Sequence, residues 1–431
     1  MKLEALALTS IVVVASAAAC SSSGDGNGAN SGAGGAAGHS GATSQSVKIA
    51  SWWKAPGEAE AIDGLIKTFK AQNTGYSVTF DLIVDGVTAQ SQLNAELADP
   101  VSKPPPDVAQ YNANNVPTLL RSLPDSLTVL DGAFAASSLT NANVPQEVLD
   151  AVTVDGHIYS IPLNIHRENS FFYNVAVLSA NGITPPTTVD EIIAACPKLK
   201  AAKITPVVTS YQGWIQRIMF NSIAAGTMGA AKFRDFMTGK TSFTDAAWSG
   251  AIDKYAALLD ACVDATIASD KEYGWTRAAD DLFEGKGAFY YHGDWAKGYL
   301  VSRGFSPGTD FGGGGSPGAR DLFWFGVDVL ILPKNAANPA GAALFFDTAT
   351  SIDGQVAFNK PKGSTPFRTD VPATSLDAVG QLTHADFKAA GEIRMLVYTT
   401  NALDTALGEF ATNRDKAALL KAYTDNPIAT Q

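Results

Sequence analysis

Residues 47–73 run VKIASWWKAPGEAEAIDGLIKTFKAQN, the pattern of a strand, a double-tryptophan turn and then a helix. Val47 and Ile49 stand two apart and lead into small residues, as in a short buried strand. Ala55-Pro56-Gly57 breaks the run, and Glu58 falls in the first turn that follows, where a carboxylate suits the helix dipole. Ile62, Leu65, Ile66 and Phe69 recur at helical spacing, so one face is apolar. Trp52 and Trp53 fall between the two elements. Adjacent indoles at the C-terminal end of a first strand would line the crevice where open α/β sheets bind ligands. The competing reading puts one ring in the core and leaves the other on the surface without a role.

Outward from this stretch the pattern repeats. Val78, Phe80, Leu82 and Val84 alternate at period two, a second strand, and so short a β-α-β unit implies parallel pairing with a right-handed crossover. Thr88 to Ala98 has helical spacing, and Asp107 to Tyr111 reads as a third strand. The chain therefore opens as a doubly wound α/β domain. Residues 156–167 and 169–174 are extended without a helix directly after them, as suits a connection between two lobes. Thr188 and Glu191 form a capping box for the next helix. Gly304 to Arg320 is expected to be a glycine-rich loop, and Asp321 to Leu332 a strand.

With 431 residues, two domains are expected rather than one core. A net charge of -11 without a basic cluster argues against nucleic acid as a partner. The N-terminus reads as an export signal: Ala5 to Ala19 is mostly apolar, too short for a membrane helix, and ends in small residues before Cys20. That junction resembles a bacterial lipobox with Ala17 in place of the usual leucine, which implies a lipid on Cys20; ordinary cleavage is the alternative. Residues 21–46 are almost wholly Ser, Gly, Ala, Asn and Thr, a tether with too little apolar surface to fold. Anchoring through the lipid would then be the only contact with the membrane. Cys196 and Cys262 remain, either a disulfide or two buried thiols.

Enzymatic signatures are missing. There is no HExxH, GxSxG or GxxxxGK[ST], and none of the five histidines pairs at metal-ligand spacing, so no cofactor or metal is expected. A glycosidase needs only two carboxylates about 5 to 10 Å apart, and Glu58, Asp294 and Asp328 are the candidates. Tryptophans lie beside turns and polar residues: Trp52-Trp53 with Glu58, Trp214, Trp275, and Asp294-Trp295. Aromatic faces next to carboxylate, amide and lysine groups suit a pyranose, which offers apolar C–H faces and a rim of hydroxyls.

Seven stretches, in order, resemble the sugar-binding lipoproteins and periplasmic proteins of ABC importers, in the branch that binds glucose and mannose. They are SWWKAPGEAEAIDGLIKTFKAQN (51–73), PLNIHRENSFFYN (162–174), PPTTVDEI (185–192), HGDWAKG (292–298), DFGGGGSPG (310–318), FGVDVLILPK (325–334) and QVAFNKPKGSTPFRTDV (355–371). The resemblance implies a two-lobed periplasmic-binding-protein fold of the α/β class, with discontinuous lobes joined by a hinge and the ligand in the cleft between them. It places one lobe at 47–163 plus 322–358 and the other at 164–321 plus 359–431. It also implies a sugar ligand, permease subunits as partners, a monomer, and no enzymatic activity.

The resemblance carries site roles onto particular residues. Trp52, Trp53 and Glu58 match its stacking and hydrogen-bonding cluster, and Gln110 its glutamine after the third strand. Asp328 and Lys362 match a hydroxyl-binding pair, while Trp214, Trp275, Asp294 and Trp295 would form the second wall. His166 reads more as a hinge hydrogen-bonder than a ligand group. Structural alternatives are a turn cap for Asp328, a solvated Lys362 and a core Trp295. Two positions depart from the glucose pattern: Asn112 stands where a histidine is usual, and residues 398–401 contain none. The alternatives to transport are an exported carbohydrate-active enzyme and a sugar-sensing surface receptor of the same fold.

Overall fold

The computed structural model describes residues 45–83, 86–140, 142–390, 394–396 and 400–426. Cys20 and all but the last two residues of the 21–46 tether lie outside them, as does Val84. Strand Ser46–Ser51 pairs in parallel with Ser77–Leu82, and helix Glu58–Gln72 crosses between them. Gly57 precedes the helix at φ +85°, a conformation that favours glycine, and its N–H donates to the Glu60 carboxylate. Ala61, Ile62, Leu65 and Phe69 are buried, and Ile66 packs against them partly exposed.

Two main sheets organise the chain into two lobes joined by a hinge, an α/β fold of the periplasmic-binding type. The first has strand order Ser77–Leu82, Ser46–Ser51, Val108–Asn112, Asp328–Ile331, Ser160–Pro162. Asp328–Ile331 alone runs against both neighbours, with Asp328 opposite Asn112. A residue at the start of this strand therefore stands at the edge where the parallel strands end, the edge at which such sheets bind ligands. The second sheet has order Phe311–Gly315, Ser170–Asn174, Gly287–His292, Thr205–Val208.

The chain passes between the sheets along two neighbouring antiparallel segments. His166–Arg167 follows Ser160–Pro162 and leads to Ser170–Asn174; Phe323–Gly326 pairs with it and leads back to Asp328–Ile331. A bridge between Ile165 and Thr365 ties on the later chain. Arg167 pins this hinge. Its fully buried guanidinium donates to Asp386 at 2.7 Å and to the carbonyls of Arg320 and Leu322, each at 2.8 Å.

Three findings correct or complete the sequence expectations. Phe311–Gly315, expected to be loop, is a strand paired with Ser170–Asn174. Its partner strand is aromatic and fills the space that side chains would need: a Cβ on Gly312 would lie 2.1 Å from the Tyr173 ring, and one on Gly313 2.8 Å from Phe172. The lobe boundary is not sharp, because Phe367 and Phe387 join the first apolar core with Val47, Leu65 and Val329, while Trp324 joins the second with Phe220, Trp248 and Phe289. Cys196, in helix Val189–Ala201, is bonded to Cys262 at the end of helix Ala246–Cys262. Among the described residues no helix is long and apolar enough to cross a membrane.

Candidate functional site

The strand that ends at Ser51 delivers Trp52 and Trp53 to the ligand edge of the first sheet, and Gln110 on the next strand holds them there. The Gln110 side-chain carbonyl accepts from the Ser51 hydroxyl and, at 3.2 Å, from the Trp52 N–H; Ser51 Oγ in turn accepts from the Trp53 N–H at 3.1 Å. Gln110 Nε2 is buried with no partner. The two indoles separate in burial. Trp53 is 2% exposed, packed on Phe358 with ring centroids 4.8 Å apart, whereas Trp52 keeps part of its surface. Trp53 is thus a core ring rather than an open platform in this structure.

Glu58 and Lys362 meet each other. Glu58 opens its helix and Lys362 closes Ile352–Lys362, so each charge suits its own helix end. Lys362 Nζ donates to Glu58 Oε1 at 2.8 Å and lies 5.7 Å from the Trp53 ring centroid. Lys362 is 3% exposed, not the solvated lysine of the structural alternative.

At the hinge, His166 joins carboxylates from both sides. Its Nδ1 lies 2.5 Å from Asp294 Oδ1 and its Nε2 3.1 Å from Asp328 Oδ2. Asp294 Oδ2 also accepts from the Arg167 N–H at 2.9 Å, and Asn164 Nδ2 donates to Asp328 at 3.0 Å. Burial and the Lys362 charge oppose protonation of His166, but the two aspartates outweigh them and raise its pKa. Burial likewise opposes ionisation of Asp328, yet His166, Lys362 and Asn164 hold its carboxyl below the ordinary value. His166 is therefore a hinge hydrogen-bonder, and Asp294 is bound into the same hinge network. Asn164 escaped sequence reasoning; nothing in its pattern sets it apart from other buried amides.

The second wall is aromatic. Trp214 and Trp295 are near-parallel, with centroids 6.4 Å apart, and both keep partial exposure, so Trp295 is not the core ring of the alternative reading. Trp275 stacks on His292 at 5.4 Å, and His292 also lies 5.4 Å from Trp214 and 5.0 Å from Trp295. His292 ends strand Gly287–His292, and a single histidine before Gly-Asp-Trp carries no spacing signal that would single it out in the sequence. Asn112, the departure from the glucose pattern, accepts from Gln90 at 3.0 Å.

The walls approach through glycines. A Cβ on Gly57 would lie 2.7 Å from the Gly298 carbonyl carbon, and one on Gly298 2.4 Å from the Pro361 carbonyl oxygen. Helix Trp295–Ser302 thereby packs on the ends of Glu58–Gln72 and Ile352–Lys362. A surface groove of about 850 Å³ lies elsewhere, lined by Leu120, Arg121, Asp150 and Tyr159 among others, and holds none of these residues. Among the described residues no group of three or more His, Cys, Asp or Glu could hold a metal ion.

The family model for bacterial extracellular solute-binding proteins matches residues 47–356. The chain belongs to this family. Among other bacterial extracellular solute-binding proteins, a probable sugar-binding periplasmic protein of Rhizobium meliloti is 30% identical over 358 residues, 78% of this chain and 80% of its own. One from Brucella suis with the same description is 29% identical over 402 residues, covering 88% and 85%. The solved solute receptor AcbH, described with an exclusive preference for β-D-galactopyranose, superposes with a TM-score of 0.73 at 17% identity. It covers 88% of this solute-binding protein and 98% of its own chain, a likeness of fold.

Proposed function

We propose that this exported solute-binding protein captures a monosaccharide or small oligosaccharide between the Trp52 edge of the first lobe and the Trp214–Trp295 wall of the second. It then presents the closed form to the permease subunits of an ABC importer. The observation that carries this reading is the partly exposed Trp52, bonded to Gln110 at the ligand edge of the first sheet with Trp53 and Lys362 beside it, together with the partly exposed Trp214–Trp295 pair of the second lobe. Indoles supply faces for C–H surfaces, and the polar groups supply directed bonds to hydroxyls. The relatives described as probable sugar-binding proteins support the same ligand class.

The sugar is of the glucose or mannose type in size and polarity, with a hydroxyl preference altered where Asn112 replaces a histidine. Closure is a population shift driven by contacts made with both lobes at once. Enzymatic use of the carboxylates is disfavoured: Glu58 is paired with Lys362, Asp294 and Asp328 are bonded to His166, and Asp328 is held on the ionised side, unlike a general acid. The body acts as a monomer tethered through a lipid on Cys20, and Cys20→Ala should release it from the membrane fraction. Calorimetric and tryptophan-fluorescence titration with hexoses, pentoses and disaccharides tests the ligand class. Saturable 1:1 binding of at least one is expected, and silence across the panel contradicts the reading.

A further inference from the structure

His292 presents a buried side chain whose chemistry the fold leaves unused. It is fully buried, yet neither Nδ1 nor Nε2 has a hydrogen-bond partner. A buried polar group without a partner is costly, and native structures keep few of them. Both ring faces are taken, because Trp275 stacks on the imidazole at 17° and Tyr290 at 11°. Trp295 meets it edge-on at 70° and Trp214 obliquely at 56°, so four aromatic rings enclose the imidazole. The adjacent Gly293 permits the arrangement: a Cβ there would overlap the Trp295 ring at 1.9 to 2.4 Å. Trp295 opens the helix that follows this strand, and its partly exposed ring lies between His292 and the surface.

We propose that His292 is a specificity-determining residue of the sugar site, which hydrogen-bonds one ligand hydroxyl through a ring nitrogen left unpaired in the sugar-free protein, as the Trp214–Trp295 wall shifts to admit the sugar. This rests on the sugar-binding reading above. A neutral imidazole offers one donor and one acceptor, the pair a hydroxyl uses. Burial, with a smaller contribution from Lys362, pushes the His292 pKa down to about 3, so the ring stays neutral under ordinary conditions. A hydroxyl-reading site rejects analogues lacking that hydroxyl because its own buried groups then go unpaired.

The test titrates the full chain and His292→Phe, which keeps an aromatic ring between Trp275 and Tyr290, with the best sugar of the panel and its complete monodeoxy series. For wild type, removal of one particular hydroxyl should weaken binding about 10- to 100-fold. His292→Phe should bind the parent sugar about that much more weakly and be indifferent to loss of the same hydroxyl. If every deoxy sugar costs both proteins alike, the assignment is overturned while sugar binding stands. If wild type binds no sugar, the functional reading fails and this assignment with it. A readout independent of any variant is the ¹⁵N resonance of the histidine ring nitrogens. Saturation with sugar should shift one nitrogen of a neutral, buried histidine absent from the His292→Phe spectrum; unchanged shifts overturn the assignment. Should His292→Phe not fold, His292→Gln assigns the resonance instead.

Discussion

Successive residues leaving a strand turn to opposite sides, and Trp52 and Trp53 divide accordingly. Trp53 packs among Phe358 and the first core, so Trp53→Ala should destabilise the fold by about 3–5 kcal/mol in urea titration. Trp52→Ala, at a ring only partly buried against the core, should cost less stability than Trp53→Ala and act chiefly on ligand affinity. At the hinge, the raised pKa of His166 sets a pH dependence. A folded-state pKa above the unfolded one means that the imidazolium's contribution is complete below about 6.5 and lost as pH rises through the folded value. The depressed Asp328 works in the opposite sense, contributing above about 4 and lost on acidification. Thermal melts from pH 4 to 9 should show stability falling on the alkaline side. Asp294, Asp328 and Lys362 are the charged groups facing this ring, and His166→Gln should remove the alkaline decline. A decline that survives this change would exclude His166 as its cause.

Elements with a strong period were legible, and those decided by a neighbour were not. The strand, turn and helix of residues 46–72 follow from spacing and from Gly57, and the Thr188–Glu191 box forms as its pattern predicts. Phe311–Gly315 reads as loop because glycine lacks strand preference; it becomes a strand because Tyr173 and Phe172 on the partner occupy the volume. Gly312→Val should therefore destabilise the second lobe despite its higher strand propensity, a loss visible by circular dichroism melting. Burial patterns also could not divide the two tryptophans, nor show that Glu58 and Lys362 would pair, since 304 positions separate them. The Cys196–Cys262 bond links two helices of the second lobe, and reduction should cost about 2–4 kcal/mol of stability. Equal melting with and without reductant would contradict that.

At the scale of the molecule, approach of the lobes depends on bare backbone at Gly57, Gly298 and Gly363. Gly298→Ala drives a methyl into the Pro361 and Lys362 carbonyls, so the closed form should be penalised by about 1–3 kcal/mol while each core is untouched. Affinity should then fall in proportion to the population of the closed form, and small-angle scattering of the saturated variant should show a larger radius of gyration than wild type. Equal affinity and equal dimensions would show that this contact does not limit closure. The central claim is that a sugar is held between the two walls with Trp52 as its open stacking ring. Calorimetric titration of wild type and Trp52→Ala with the best-bound sugar tests it most directly. The account predicts one site per chain and affinity about 5- to 150-fold weaker in the variant, equivalent to about 1–3 kcal/mol. Binding by Trp52→Ala as tight as wild type, or no sugar bound by either, would contradict it.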